Sequence, residues 1–367
     1  MIISARPNSH AGTIFFTSSH YNLPQIEFYY LGRDALLSGL IALGLQKGDS
    51  IIIPAYMCDS TIKPLKSFGF NLVFIDIEKD LSFSVGKLRK AIKRGQIKAL
   101  LVVHYFGFTQ NFNKVIDVCR EHGVKVIEDA SHSFMSQFLR NKGGIKGDAE
   151  VFSMRKSLPI VDGGALKINC NGCDVVKRDS HQCVSIMTDI KYLILRLFEK
   201  LVTRLGINIY GQLINNIKAK LRSKSDNENY DVNVEPCQAS WQLKKYLSNE
   251  KYLQDAQQAI INNFNQLNKA LQNFGFRLLI ESVEQGVVPQ ACVVYDDRGE
   301  LVDYLRSKGI GAWRWPDEEM PKEVAQNYEY YPNSVFFDEK LVLIPIHQSL
   351  DSRQINYIIQ VLSRWQL

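Results

Sequence analysis

The sequence predicts an α/β protein: a mainly parallel sheet sandwiched by helices, followed by a smaller C-terminal α+β domain. Three observations carry this. Between Gly32 and Cys170, short β-branched runs alternate with stretches of helical period, the pattern of strands joined by crossover helices. The runs are apolar almost throughout, as strands covered on both faces are. Beyond Glu235 the order changes to long helices mixed with short strands.

The strands follow in order as SIIIPA, NLVFIDI, IKALLVVHYFG, VKVIEDA, AEVFSM and GALKINC. Helical stretches lie between them; FNKVIDVCREHG ends on Gly123, where a left-handed cap is needed. From 184 to 222 the chain becomes amphipathic and basic, which predicts a helical hairpin. Packing against the domain or an oligomer contact is the commoner use of such a segment, and docking on an anionic membrane is the alternative. SKSDNENYDVNVEP is an expected loop, so the large domain spans residues 1–235 with an insertion at 184–235. The small domain, 236–367, is expected to hold one or two long helices, the strands ACVVYD and LVLIPI, the helix in ELVDYLRSKG and a last helix DSRQINYIIQVLSRW.

Composition sets the limits. A chain of 367 residues, 46% hydrophobic and 22% charged, builds a sizeable core and excludes a largely disordered protein. A formal charge of +6 is mild at this length and calls for no nucleic-acid partner. No window offers about 20 apolar residues, and MIISARPNSHAGTIFF lacks a signal-peptide core; a cytoplasmic protein is expected. Seven scattered cysteines fit reduced thiols better than a disulfide framework. Cys170-Asn-Gly-Cys173 with His181 and Cys183 offers some zinc-ligand types, but one CxxC is weak and no metal is expected.

Ligands in open parallel sheets bind beyond the carboxyl ends of the strands, and four places there carry chemistry. Gly32-Arg33-Asp34 opens an amphipathic helix whose free amides suit a phosphate; a plain helix start with Asp34 at the positive dipole end is the competing reading. Tyr56 and Cys58 leave SIIIPA, where a ring could stack on a planar cofactor, although an isolated Tyr is more often core. Glu128-Asp129-Ala130-Ser131-His132 ends a strand with carboxylates that are costly to bury unpaired, and an Asp facing a pyridine nitrogen would keep that ring an electron sink. Ser153-Met154-Arg155-Lys156 ends the next strand. There a desolvated Lys156 beside the Arg155 cation would have its amine free to attack a carbonyl, and Asp162-Gly163-Gly164 gives the backbone freedom to pass a bulky ligand.

These stretches stand in a familiar order. GLQKGDSIIIPAYMCDSTIKPLKSFGFNLVFIDIEKD, KALLVVHYFG, EHGVKVIEDASHS and GGIKGDAEVFSM, with SKGIGAWRWP and LVLIPIHQSLDSRQI near the C-terminus, resemble the DegT-type sugar aminotransferases (DegT/DnrJ/StrS), pyridoxal-phosphate enzymes of fold type I. The resemblance implies Lys156 as the Schiff-base lysine, Asp129 as partner of the pyridine nitrogen, Ser153 as a phosphate ligand, and His132 in place of a Gln that packs on the cofactor ring. It sets Tyr56 or Cys58 near the ring-stacking aromatic, Tyr56 being favoured on chemistry, and Gly32 and Arg33 at the phosphate-binding helix start.

The implied function is transfer of an amino group, glutamate being the expected donor, to a keto group of a nucleotide-activated sugar, within a homodimer whose sites form between subunits. Two departures stand out: the stretch from Ser153 to Lys156 is two residues shorter than the family's, and Asp231 falls where an Asn reaches the neighbour's phosphate, with no matching Arg. Arg33 or Arg155 would supply the missing cation. The competing readings are a non-catalytic regulatory or scaffold protein on the same fold, and another pyridoxal-phosphate enzyme such as a sugar dehydratase or lyase. Lys156 favours amino transfer, because dehydrating members of the family carry His there.

Overall fold

The computed structural model describes residues 1–8, 26–108, 112–137, 147–170, 180–204, 234–316 and 320–365. Its centre is a seven-stranded sheet of β1 (Ile26–Tyr29), β2 (Ser50–Pro54), β3 (Asn71–Ile75), β4 (Ile97–Val103), β5 (Lys125–Asp129), β6 (Ala149–Ser153) and β7 (Gly164–Ile168), in the spatial order β1-β7-β6-β5-β4-β2-β3. The five strands from β6 to β3 are parallel, and β7 and β1 are antiparallel additions at one side. This is the mainly parallel sheet that the apolar runs predict. The strand β1 was not foreseen, since its four residues are too few to show alternation.

Helices cover both faces. On one lies α1 (Gly32–Ala42), whose Leu37 and Leu40 are buried in a core with Ile127 of β5 and Leu166 of β7. It sits close because of Gly39: a Cβ there would meet Leu166 Cδ1 at 2.8 Å and Ile127 Cδ1 at 2.9 Å. On the other face, α3 (Val85–Arg94) and α4 (Asn113–Glu121) bury Leu88, Ile92, Val115 and Ile116 against Ile52, Leu100, Val102 and Val126. Because side chains alternate along a strand, Ile127 and Asp129 face α1, whereas Val126 and Glu128 face α3 and α4. Between β2 and β3, α2 (Asp59–Phe68) ends on Gly69 in the left-handed conformation (φ 101°), as a helix that must turn back into a strand requires.

The later chain holds an antiparallel pair, β8 (Ala291–Tyr295) and β9 (Leu341–Pro345), with helices Trp241–Leu247, Glu250–Asn273, Leu301–Ser307 and Ser352–Ser363. The last helix starts with a capping box in which the Asp351 and Gln354 side chains each accept the other's backbone N–H. Before these comes α6 (Ile186–Arg204), following the short α5 (Phe134–Gln137); the second half of the expected hairpin lies outside the described residues.

One expectation is overturned. Cys183 and Cys237 form a disulfide and Cys170 is also disulfide-bonded, so only Cys58, Cys119 and Cys292 are free thiols among the described residues. Scatter along the sequence concealed this, because residues 183 and 237 are brought side by side by backbone pairing between His181 and Cys237.

Candidate active site

All the chemistry-bearing stretches converge on one edge of the sheet, for topological reasons. Parallel β2, β4, β5 and β6 end there in Pro54, Val103, Asp129 and Ser153, with Val103, Asp129 and Val151 in register. The antiparallel β7 begins there, Gly164 opposite Ser153, and β1 ends there, Tyr29 opposite Gly164, delivering the start of α1. The fit is close: a Cβ on Gly164 would lie 2.3 Å from the Leu31 carbonyl oxygen, and one on Gly32 would lie 3.0 Å from Ser153 Cβ and 3.4 Å from Ser131 Oγ.

The short passage from Ser153 to Lys156 is accommodated by a single 3-10 turn, Met154–Lys156, that directly follows β6. Met154 N–H donates to the Gly163 carbonyl (2.7 Å) and Ser157 N–H to Met154 (2.9 Å). Gly163 has φ 111°, open to glycine at little cost. Asp162 pins this loop from outside, accepting from Ser240 N–H (2.9 Å) and Oγ (2.8 Å); burial raises its pKa to about 6 against those bonds.

Lys156 lies in a setting that favours a neutral amine. Burial lowers its pKa, Asp129 and Cys58 act in the opposite direction, and Arg155 and Arg6 add to the lowering. Asp129 is buried and accepts the Ser131 N–H at 2.8 Å. Burial, and then the Lys156 charge, hold His132 well below the usual imidazole range. Its Nδ1 accepts the Phe106 N–H (3.3 Å), its ring stacks on Phe106 (5.8 Å) and meets Trp315 edge-on (5.1 Å). Neutral His132 with Nδ1 accepting carries its proton on Nε2.

Beside the start of α1 the charge is positive. Arg155 has its pKa lowered by burial and then by Arg6 and Arg33, so two further guanidinium groups act on it there. Such a group repels itself and welcomes an anion with several oxygens. Arg6 was not foreseen: it is brought in by pairing of the N-terminal segment with residues 309–311, through Ile3 N–H to Gly309 (2.7 Å) and Gly311 N–H to Ile3 (2.8 Å).

Two candidates take other roles. Tyr56 is fully buried; its hydroxyl donates to the Trp315 carbonyl (2.6 Å), and its ring packs on Tyr105, Phe106, Trp315 and Phe337. It is a core residue, because SIIIPA turns inward as it leaves the sheet. Cys58, half-buried at the start of α2 with Thr61 Oγ1 3.0 Å from its sulfur, is the one within electrostatic reach of Lys156. Asp34 accepts the Leu31 N–H at 3.1 Å, the capping role of an acid at a helix start, so a phosphate is left to other donors. Asp231 lies outside the described residues.

The residues present fit pyridoxal phosphate by their chemistry: a desolvated Lys, an Asp on the same edge, and cations beside a helix start. Sequence reasoning missed Phe106 and Trp315 against His132. In the structure Phe106 adopts φ 56° and Gly107 φ 92°, and a left-handed aromatic marks a constrained site.

Comparison with known proteins agrees. Residues 31–172 match the model of the DegT/DnrJ/EryC1/StrS aminotransferase family. Over 136 residues, 36% of this chain and 27% of the relative, it is 35% identical to protein MosB of Rhizobium meliloti. Over 141 residues, 38% of each chain, it is 30% identical to GDP-perosamine synthase of Vibrio cholerae. The chain thus spans well under half the length of these curated relatives. The putative sugar aminotransferase Spr1654 of Streptococcus pneumoniae in its PLP-form superposes with a TM-score of 0.68 at 15% identity, covering 97% of this chain and 90% of that one, which shows a shared fold. The matched stretch, residues 31–172, contains Asp129, Ser153 and Lys156, and over it the chain is similar to the DegT/DnrJ/EryC1/StrS aminotransferase family.

Proposed function

We propose that the chain is a pyridoxal-phosphate-dependent aminotransferase that moves an amino group from an amino acid, glutamate being the expected donor, to a keto group of a nucleotide-activated sugar. The observation that carries this reading is the half-buried Lys156 amine, its pKa lowered by desolvation, on the same sheet edge as Asp129. When bound, pyridoxal phosphate supplies an aldehyde for amines and a ring that withdraws electrons.

Each residue has a part. Lys156 Nζ would hold the aldehyde group of pyridoxal phosphate, and its neutral amine would take the proton from the donor's α-carbon. Asp129 keeps a proton on the pyridine nitrogen. Ser153, the amides of Gly32 and Arg33, and the Arg33 and Arg155 side chains hold phosphate. His132, kept neutral by burial, would pack on the ring. We read the protein as a homodimer, following the family pattern of sites formed between subunits.

A spectral titration tests the reading. Purified protein incubated with pyridoxal phosphate is expected to gain a visible absorbance band that shifts on adding glutamate and is absent in Lys156→Ala. A colourless protein that pyridoxal phosphate cannot reconstitute would refute the enzyme reading in favour of a regulatory one. Product analysis with keto-sugar nucleotides, beginning with GDP-linked sugars because of the perosamine synthase relative, then tests the acceptor; deoxy-keto products without amino sugar would show a dehydratase.

A further inference from the structure

We propose that the cluster of His181, Cys183 and Cys237, once its disulfide is reduced, is a zinc site built from one imidazole nitrogen and two thiolates. The three ligand atoms lie within 4.8 Å of one another. Among the described residues no other three His, Cys, Asp or Glu side chains gather their ligand atoms in this way. Cys170, from the one CxxC of the sequence, is not among the three; Cys237 stands there instead, 54 residues from Cys183 along the chain. A ligand so distant leaves no spacing pattern, which is why no metal is expected from the sequence.

The backbone holds these ligands together. His181 N–H donates to the Pro236 carbonyl (3.3 Å) and Gln238 N–H to the His181 carbonyl (2.8 Å), so residues 181 and 237 lie side by side. On its other side Cys237 is tied to β1, its N–H donating to the Phe28 carbonyl (2.6 Å). Cys183 follows two residues after His181, with its Cα 5.7 Å from that of Cys237, and the next residue, Val184, is buried. Glu235 sets the imidazole, its carboxylate lying 3.5 Å from His181 Nδ1. A carboxylate there keeps the proton on Nδ1 and leaves the Nε2 lone pair for a metal, the outer-shell arrangement that metal-binding histidines use. Nε2 does face the sulfurs, 3.3 Å from Cys183 Sγ.

The donor set selects the ion. Thiolate and imidazole ligands suit zinc in tetrahedral sites, whereas calcium and magnesium need oxygen. With Zn–S bonds of about 2.3 Å and Zn–N bonds of about 2.0 Å, a tetrahedron sets nitrogen and sulfur about 3.5 Å apart, close to the 3.3 Å between His181 and Cys183. Three protein ligands leave the fourth position to water. Disulfide and metal exclude each other, because the same two sulfurs serve both. A dithiol reductant passes two electrons and two protons to the Cys183–Cys237 bond and is itself oxidised to a disulfide; zinc then displaces both thiol protons to solvent. Access is open, since His181 is exposed and Cys183 only half-buried. Either state ties residue 183 to residue 237, so the loop between them stays closed after reduction as long as zinc is bound.

The test is zinc uptake by the full chain, reduced with dithiothreitol and freed of it without air, against the oxidised protein, using a competing chromophoric chelator. Uptake by the reduced form alone is expected, with near-ultraviolet sulfur-to-cobalt absorption when Co²⁺ replaces zinc and a melting temperature that zinc raises. His181→Ala is expected to weaken uptake at least tenfold, and Cys183→Ser to abolish the cobalt signal of a two-thiolate site. Cys170→Ser, which removes a thiol that reduction also frees, is expected to keep both. Because His181→Ala alters only an exposed ring and spares the disulfide, it keeps the comparison decisive should a cysteine variant not fold. Reduced wild type that takes up no zinc, or oxidised protein that takes up as much, would overturn the proposal. So would uptake that survives His181→Ala and Cys183→Ser, or that is lost in Cys170→Ser alone.

Discussion

Lys156 acts through its environment, and two neighbours set it in opposite directions. Neutral amine is the reactive form, so activity rises with pH through the Lys156 pKa. Arg155 lowers that pKa; removing its charge in Arg155→Gln is expected to move the rising limb of the pH–rate profile to higher pH. Asp129→Asn removes a charge that raises it and moves the limb to lower pH, while slowing turnover by about 10²–10⁴-fold if protonation of the ring nitrogen is lost. Rate profiles of the two variants check both signs. Arg33→Ala is expected to weaken pyridoxal-phosphate affinity by about 10- to 100-fold, one charge-assisted hydrogen bond being worth about 1.5–3 kcal/mol. Unchanged affinity in an equilibrium titration would remove Arg33 from the phosphate site.

At the scale of elements, the site depends on how closely α1 lies on the sheet. Gly39→Ala drives a methyl into Leu166 and Ile127, and such overpacking costs about 1–3 kcal/mol; a lower melting temperature and weaker cofactor binding together are expected. The opposite face hides a second feature, a row of ionisable groups across β5, β6 and β7. Glu128 pairs with His104 (2.7 Å) and accepts the Gly147 N–H (2.6 Å), while its register neighbour Glu150 is fully buried with neither carboxylate oxygen bonded. Burial, and then Glu128, raise the Glu150 pKa to about 8, Lys167 opposing. The folded state therefore keeps a proton that the unfolded state releases near the ordinary carboxylate pKa of about 4.3. Stability carried by this group falls as pH rises between those values. Glu150→Gln abolishes that dependence, so its advantage over wild type in denaturant melts is expected to grow from pH 5 to pH 8.

For the whole molecule, the N-terminal segment and a disulfide tie distant parts together. Ile3 pairs with Gly309 and Gly311, Asn8 N–H donates to Ser349 Oγ, and Arg6 between them acts on Arg155. The Cys183–Cys237 bond closes a loop of 54 residues, and chain-entropy reasoning gives such closure about 2–4 kcal/mol. Cys237→Ser is accordingly expected to lower the melting temperature in the absence of reductant and to match reduced wild type in its presence.

Sequence alone marked out the apolar strands of a mainly parallel sheet and singled out Lys156, Asp129 and Ser153 as candidates at strand ends, because periodicity and end-of-strand chemistry are local and survive in one dimension. It also yielded the basic amphipathic character of α6. It could not decide between Tyr56 and Cys58, since both leave the same strand and only packing against Trp315 shows which is enclosed. Nor could it pair Cys183 with Cys237, bring Arg6 to Arg155, or tell which face of α6 is bare. Those depend on contacts between residues far apart in the chain, and such contacts are fixed when the faces of the elements bury one another.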